Sequence, residues 1–211
     1  TPVHAKVVVV AGPSGAGKSR LCRLVGERLG LPTINLDDFY KDGADPTLPR
    51  TSIGPGRDIV DWDDPRSWSA EEAVDVLDRL CRDGSAEVPV YRLASDGRVG
   101  DRVLEIGDAP LLVAEGIFAQ EVVAACGARG ILAGAVCVRN HPVVTFWRRL
   151  LRDLRERRKS PWVLVRRGLA LMRAQTSVVA RAEALGCEVV SPAQAFSRIE
   201  ALERTAGRAR R

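Results

Sequence analysis

The apolar positions of this chain fall into two kinds of run. Four consecutive valines at 7–10 precede a glycine-rich stretch, and "PLLVAEG" (110–116), "TINLD" (33–37) and "ILAGAVCV" (131–138) are similarly short and aliphatic or β-branched. Runs of this length without alternation are the pattern of parallel strands buried on both faces, so they are predicted to share one sheet. Between them the spacing predicts helices at 18–29, closed by Gly30 and Pro32, at 70–82, opened by a capping box from Ser69 to Glu72 and followed by Gly84, and at 142–158. "VPVYRLASDGRVGDRVLEI" instead alternates around Ser95-Asp96-Gly97, which predicts an antiparallel hairpin lying over a substrate. Residues 41–68, with Pro46, Pro49, Pro55 and Pro65, form a connection longer than compact domains usually carry without a functional use. A last helix is predicted to begin at Ser191-Pro192, a capping residue followed by proline at the first helical position.

Composition narrows the class. With 211 residues, against roughly 100–200 per domain, the chain is expected to be a single domain spanning 1–211, large enough to bury about 70% of its unfolded surface. Hydrophobic residues make up 45% and charged residues 28%, as in soluble globular chains, and no apolar run reaches the roughly 18 residues of a membrane span. The opening "TPVHAKVVVV" does not read as a cleavable leader, and Cys22, Cys81, Cys126, Cys137 and Cys187 are scattered without a C-x-x-C pair. The expectation is a reducing, cytoplasmic setting, no membrane partner, and cysteines acting as small buried hydrophobes. The net charge is +5, but acids gather in 37–75 and arginines in 148–173. Segregation of this kind argues against nucleic acid as the partner and suits a metal-polyphosphate meeting a small hydroxyl substrate; a solvated basic helix is the alternative.

"GPSGAGKS" fits G-x-x-x-x-G-K-[ST] where physics requires it, after a buried strand and before an amphipathic helix. Gly12, Pro13, Ser14, Gly15, Ala16, Gly17, Lys18 and Ser19 are therefore the predicted ATP-binding loop. The glycines let the backbone turn its N–H groups toward a phosphate chain, and the helix start adds partial positive charge. Lys18 supplies a point charge for the β- and γ-phosphates, and Ser19 a hydroxyl for Mg²⁺. Glycines at 12, 15 and 17 do not fit the dinucleotide pattern G-x-G-x-x-G. Such a loop does not choose between water and an alcohol as acceptor. "TINLDDFYKD" bears on that choice: it ends its apolar run at Asp37-Asp38, placing a carboxylate at the carboxyl end of a strand, where a base for an alcohol belongs. Two solvated loop acids are the competing reading.

"GPSGAGKS", "LDDFYKD", "DWDDP", "VPVY", "AEGI" and "RRLLRDLRERR" occur in an order and spacing that resembles the uridine kinase (uridine-cytidine kinase) family of P-loop nucleoside kinases, over about residues 6–160. The resemblance implies a P-loop NTPase fold: a five-stranded parallel sheet between helices, a β-hairpin insertion at about 84–107 and an arginine-rich lid at about 148–168. It implies ATP as phosphate donor, Mg²⁺ as cofactor, and a pyrimidine ribonucleoside 5′-hydroxyl as acceptor. Asp37 then receives the hydroxyl proton and lies near Mg²⁺; Tyr40 lines the nucleoside or is a packed loop tyrosine. Asp63 grips the ribose diol, with Asp61 and Asp64 as solvated acids. Glu115 holds Mg²⁺ or caps the next helix, and Tyr91 contacts the base or packs in the hairpin. Arg149 and Arg152 of the lid meet the transferring phosphate, with Asp153 orienting an arginine and the other arginines facing solvent. His141 is read as a helix-entry residue and His4 as part of a loose terminus. Arg92 and Asp96 depart from the family pattern, which has aspartate and histidine there. A kinase for another hydroxyl metabolite and a nucleotide-binding regulatory module remain as alternative functions, and a homo-oligomer is compatible with either.

Overall fold

The computed structural model describes residues 5–52, 56, 58–92, 95, 97–140 and 176–209. In chain order the elements are β1 (Lys6–Ala11), α1 (Lys18–Leu29), β2 (Thr33–Asn35), β3 (Arg50–Ser52), β4 (Asp58–Val60), α2 (Ala70–Asp83), β5 (Ser85–Arg92), β6 (Gly97–Glu105), β7 (Leu111–Glu115), α3 (Val123–Ala128), β8 (Leu132–Val138), β9 (Glu188–Val190) and α4 (Pro192–Ala209). Five strands form one parallel sheet in the order β2-β7-β1-β8-β9. This is the α/β architecture expected, and it puts every strand's carboxyl end at the same edge.

The valine run has a direct physical reading. Side chains alternate across a strand, so Val7 and Val9 join the core layer containing Val74, Leu77 and Leu80 of α2. Val8 and Val10 join the opposite layer, with Leu21 and Val25 of α1 and Ala195 and Ile199 of α4. All four valines are fully buried. Burying one such side chain is worth about 1.5–3 kcal/mol; because the four are alike, the register is set at the ends of the run, where a shift by one residue would draw the exposed Lys6 into the core. The glycine loop that follows starts from a fixed point.

Some local expectations change. Ser69 precedes α2 without a side-chain cap; Glu72 instead accepts two 2.8 Å hydrogen bonds from Arg98 Nη2 of β6, tying the helix to the hairpin. A reciprocal cap does form at α4, where the Gln194 N–H donates to Ser191 Oγ at 3.3 Å and the Ser191 N–H to Gln194 Oε1 at 2.9 Å. The long connection carries a small antiparallel ribbon, with Thr51 opposite Ile59. The β5–β6 pair occupies the stretch expected to be a hairpin and shifts register between Val90 and Tyr91. The predicted helix at 142–158, with Arg149, Arg152, Asp153, His141 and the whole lid, lies outside the described residues, as do His4, Pro55 and Asp96. Among the described residues no helix is long and apolar enough to cross a membrane.

All five cysteines are buried and free. Desolvation pushes Cys22, Cys81 and Cys187 up to about 12 and Cys126 and Cys137 up to about 11. They stay protonated and inert at neutral pH.

A single side chain pins the segment after β2. Trp68, 3% exposed, donates its indole N–H to the Leu36 carbonyl at 2.6 Å, and the Ser69 N–H donates to the Phe39 carbonyl at 3.0 Å. Trp68→Phe keeps most of the packing and leaves the buried Leu36 carbonyl without its donor, so it should cost about 2 kcal/mol. Urea denaturation beside the unsubstituted protein measures the loss; an unchanged midpoint would show that this bond does not hold the segment.

Candidate active site

The loop between β1 and α1 depends on backbone shapes that only glycine adopts comfortably. Gly12, Gly15 and Gly17 have φ of 140°, 83° and 104°. A methyl group added at Gly12 would fall 2.5 Å from the Val138 carbonyl oxygen, so the loop also lies hard against the end of β8. Lys18 is 8% exposed, and its Nζ donates to the Gly12 carbonyl at 2.7 Å and the Pro13 carbonyl at 3.3 Å. Burial lowers the Lys18 pKa, and the negative charges of Asp37 and Glu115 oppose that shift. Glu115, at the end of β7, is pushed up by burial, while Lys18 and a hydrogen bond with Ser19 pull it down. Lys18, Ser19, Asp37 and Glu115 thus form one electrostatic cluster.

Ser19, Asp37 and Glu115 offer a hydroxyl and two carboxylates, hard oxygen donors that suit Mg²⁺. Among the described residues no group of three or more His, Cys, Asp or Glu side chains could cage a metal alone. The donor set fits a cation that completes its shell with phosphate oxygens and water, as Mg²⁺ does at nucleotide sites.

The two adjacent acids diverge. Both lie in the 3₁₀ turn Leu36–Phe39, which follows β2 and is capped by the Asn35 side chain accepting from the Asp37 N–H at 3.1 Å. Asp37 Oδ1 accepts the Ile117 N–H at 2.8 Å, on the side of Glu115 and the loop. Asp38 Oδ1 accepts the Tyr91 N–H of β5 at 3.4 Å; burial raises its pKa, opposed by that bond and by Arg102. Asp38 therefore joins the turn to the hairpin.

Tyr40 sits at the centre of an aromatic group, with ring centroids 5.8 Å from Trp62, 5.7 Å from Tyr91 and 5.9 Å from Phe118. Its hydroxyl donates to the Trp62 carbonyl at 3.3 Å, and its pKa is raised by burial first and then by Asp37, Asp63 and Tyr91. The structure thus brings Asp63 and Tyr91, from distant parts of the sequence, beside Asp37 and Tyr40. Asp61 and Asp64 are more than solvated acids: Asp61 Oδ1 accepts the Asp63 N–H at 3.1 Å. Asp64 caps Pro65–Ser67 by accepting the Arg66 N–H at 2.8 Å, and its pairing with the Arg66 side chain holds it to about 2. They shape the loop that presents the exposed Asp63. Sequence reasoning missed Trp62, Phe118 and the Ile117 N–H; Trp62 lies inside the quoted "DWDDP", where an aromatic between acids was a usable signal. Arg149 and Arg152 lie outside the described residues.

A groove of about 430 Å³ opens beside Gly17 between α1 and α4, walled by Leu21, Leu24, Pro192 and Phe196 with Arg20 at its rim. It is apolar and within the size range of small-molecule sites. It depends on β9, three residues too short to stand out in the sequence, to bring α4 beside α1.

The family model described as Phosphoribulokinase / Uridine kinase family matches residues 7–181. The chain is 34% identical over 115 residues to inorganic pyrophosphatase TTM1 of Arabidopsis thaliana, which covers 54% of this chain and 16% of that protein, so the chain spans a small part of that relative's length. It is 26% identical over 170 residues to the uridine kinase of Geobacillus kaustophilus, covering 79% of this chain and 76% of that one. The crystal structure of a kinase ascribed to a fructose transport system in Silicibacter sp. TM1040 superposes with a TM-score of 0.62 at 16% identity over 90% of this chain and 88% of that one, a likeness of fold.

The buried Lys18 generates a two-sided expectation. Because its pKa is lowered in the folded state, the charged form opposes folding at neutral pH, and stability rises with pH only as Lys18 loses its proton on the way to the ordinary 10.5. Lys18→Met removes the donor to the Gly12 and Pro13 carbonyls together with the charge, so the two effects oppose each other in the thermal midpoint of the ligand-free protein at pH 7, while the gain in stability as pH rises toward 10.5 is lost. A midpoint-against-pH curve that the substitution leaves unchanged contradicts this account of Lys18.

Proposed function

Since the chain belongs to the phosphoribulokinase/uridine kinase family, we propose that it transfers the γ-phosphoryl group of ATP to the 5′-hydroxyl of a pyrimidine ribonucleoside. The observation that carries this reading is the convergence on Tyr40 of three aromatic neighbours with Asp37 and Asp63, while the charge of Asp37 also acts on Lys18. An aromatic wall favours a flat ring, and a carboxylate accepting two hydrogen bonds favours a vicinal diol. The carboxylates Asp37, Asp38 and Asp63 disfavour an acceptor that carries phosphate or carboxylate, which separates a nucleoside from the phosphorylated sugar implied by the other half of the family's name.

In this reading the loop N–H groups and Lys18 hold the triphosphate, and the groove between α1 and α4 takes the adenine. Ser19 and Glu115 would hold Mg²⁺ together with phosphate oxygens, with Asp37 beside it, and the cation would supply charge neutralisation at the transferring group. Asp37, whose charge acts on both Lys18 and Tyr40, takes the proton of the attacking hydroxyl. Arg149 and Arg152 complete the reading as cations for the moving phosphoryl group. The inert buried thiols are in keeping with a reducing, cytoplasmic setting.

The test is ADP release, with product mass, on a panel of uridine, cytidine, their 2′-deoxy forms and unrelated alcohols. Ribonucleosides should turn over and deoxynucleosides poorly, and Asp63→Ala should remove most of that difference. Asp37→Asn should lower acceptor-dependent turnover by about 10²-fold or more, and Asp38→Asn far less. Turnover only with a non-nucleoside alcohol would move the assignment to another metabolite. Phosphate release that ignores every acceptor would make the chain a hydrolase.

A further inference from the structure

The residue after Glu115 is a glycine without a backbone need for one. Gly116 lies outside the left-handed region, and it is buried. What it requires is closeness. A Cβ at this position would fall 3.0 Å from Asp37 Oδ1, 3.0 Å from Leu36 Cβ and 3.4 Å from the Asp37 nitrogen. The carboxylate of Asp37 is therefore seated against a bare Cα, and in that seat its Oδ1 accepts the Ile117 N–H at 2.8 Å.

The same peptide is fixed from behind. The Gly116 N–H donates to the Val10 carbonyl at 3.4 Å, extending the pairing of β7 with β1 past Glu115. Asp37 is held from its own side as well, through its N–H to Asn35 Oδ1. The carboxylate thus has little freedom to turn, and one of its two oxygens is already engaged.

We propose that Gly116 and the Ile117 N–H are a positioning device for Asp37: they tie up Oδ1 so that Oδ2 is the oxygen left to accept the proton of the acceptor hydroxyl. This rests on the reading of Asp37 as the base. The three consecutive residues Glu115, Gly116 and Ile117 then serve both halves of the reaction, Glu115 toward the cation and the next two toward the base. A methyl at Gly116 would push the carboxylate by a few tenths of an ångström or more, away from the Ile117 N–H. Near-attack geometry is sensitive to displacements of this order. Gly116 has no side chain to touch either ligand, so binding should change less than turnover.

The experiment compares kcat, acceptor KM and ATP binding for Gly116→Ala, Asp37→Asn and the double variant. Gly116→Ala should lose about 10²-fold in kcat, with acceptor KM and ATP affinity within about threefold of the unsubstituted enzyme. The double variant should be no slower than Asp37→Asn alone, since Gly116 acts only through the carboxylate. A general structural role would instead give losses that multiply. A second variant replaces the Ile117 backbone N–H by an ester oxygen, which adds no atoms and serves if the alanine variant does not fold; it should lose about tenfold in kcat. Losses that multiply overturn the proposal. So does an inactive Asp37→Asn beside Gly116→Ala or the ester within about threefold of the unsubstituted rate. Near-normal turnover by Asp37→Asn itself overturns both this inference and the assignment of the base.

Discussion

Val7 to Val10 are excluded from water on both sides of the sheet, and the site depends on that double burial. Because alternate valines belong to different layers, α2 on one side and α1 with α4 on the other, neither layer can slide without pulling the other. β7 lies beside β1 in strict register, Val10 opposite Glu115. The start of the phosphate loop and the acid that faces it are therefore fixed relative to each other by hydrophobic packing several residues away. β2, on the other flank of β7, pairs Asn35 with Glu115 and delivers the turn carrying Asp37 at the same edge. Three strands that end together convert non-directional apolar burial into a directed polar site.

That site is under electrostatic tension before any ligand arrives. Lys18 is buried among carbonyls with its charge opposed by desolvation, and Glu115 is buried with its charge opposed in the same way. Each moderates the other's cost, but neither is fully compensated. In the proposed reading a polyphosphate with a divalent cation would supply the missing partners for both. Local instability of this kind is expected where binding must be coupled to chemistry.

Strands β1, β2, β7 and β8, α1, α2 and the phosphate loop were legible in the sequence because each rests on local signals: runs of aliphatic and β-branched residues, helix-ending glycines and the G-x-x-x-x-G-K-[ST] spacing. The antiparallel pairing of β5 with β6 was legible by the alternation. The capping box at Ser69 was misread because Glu72 has a stronger partner in Arg98, 26 residues on, and no local pattern reports a cross-element ion pair. The ribbon of β3 and β4 was hidden by prolines, and β9 by its length of three residues. In the site, Asp37 and Asp38 were separable only in three dimensions: one is claimed by the Ile117 N–H, the other by the Tyr91 N–H. The aromatic group around Tyr40 needed the same step, since Trp62, Tyr91 and Phe118 come from three different segments.

The central claim is that Asp37 stands between a triphosphate in the 12–19 loop and a hydroxyl held against Tyr40, Asp63 and Tyr91. A crystal structure with a non-hydrolysable ATP analogue, Mg²⁺ and cytidine or uridine tests it most directly. The account predicts the cation between Ser19, Glu115 and the phosphates, and the 5′-hydroxyl oxygen within about 2.6–3.2 Å of the Asp37 carboxylate. A nucleoside bound with that hydroxyl turned away from Asp37, or a triphosphate lying outside the loop, would contradict it.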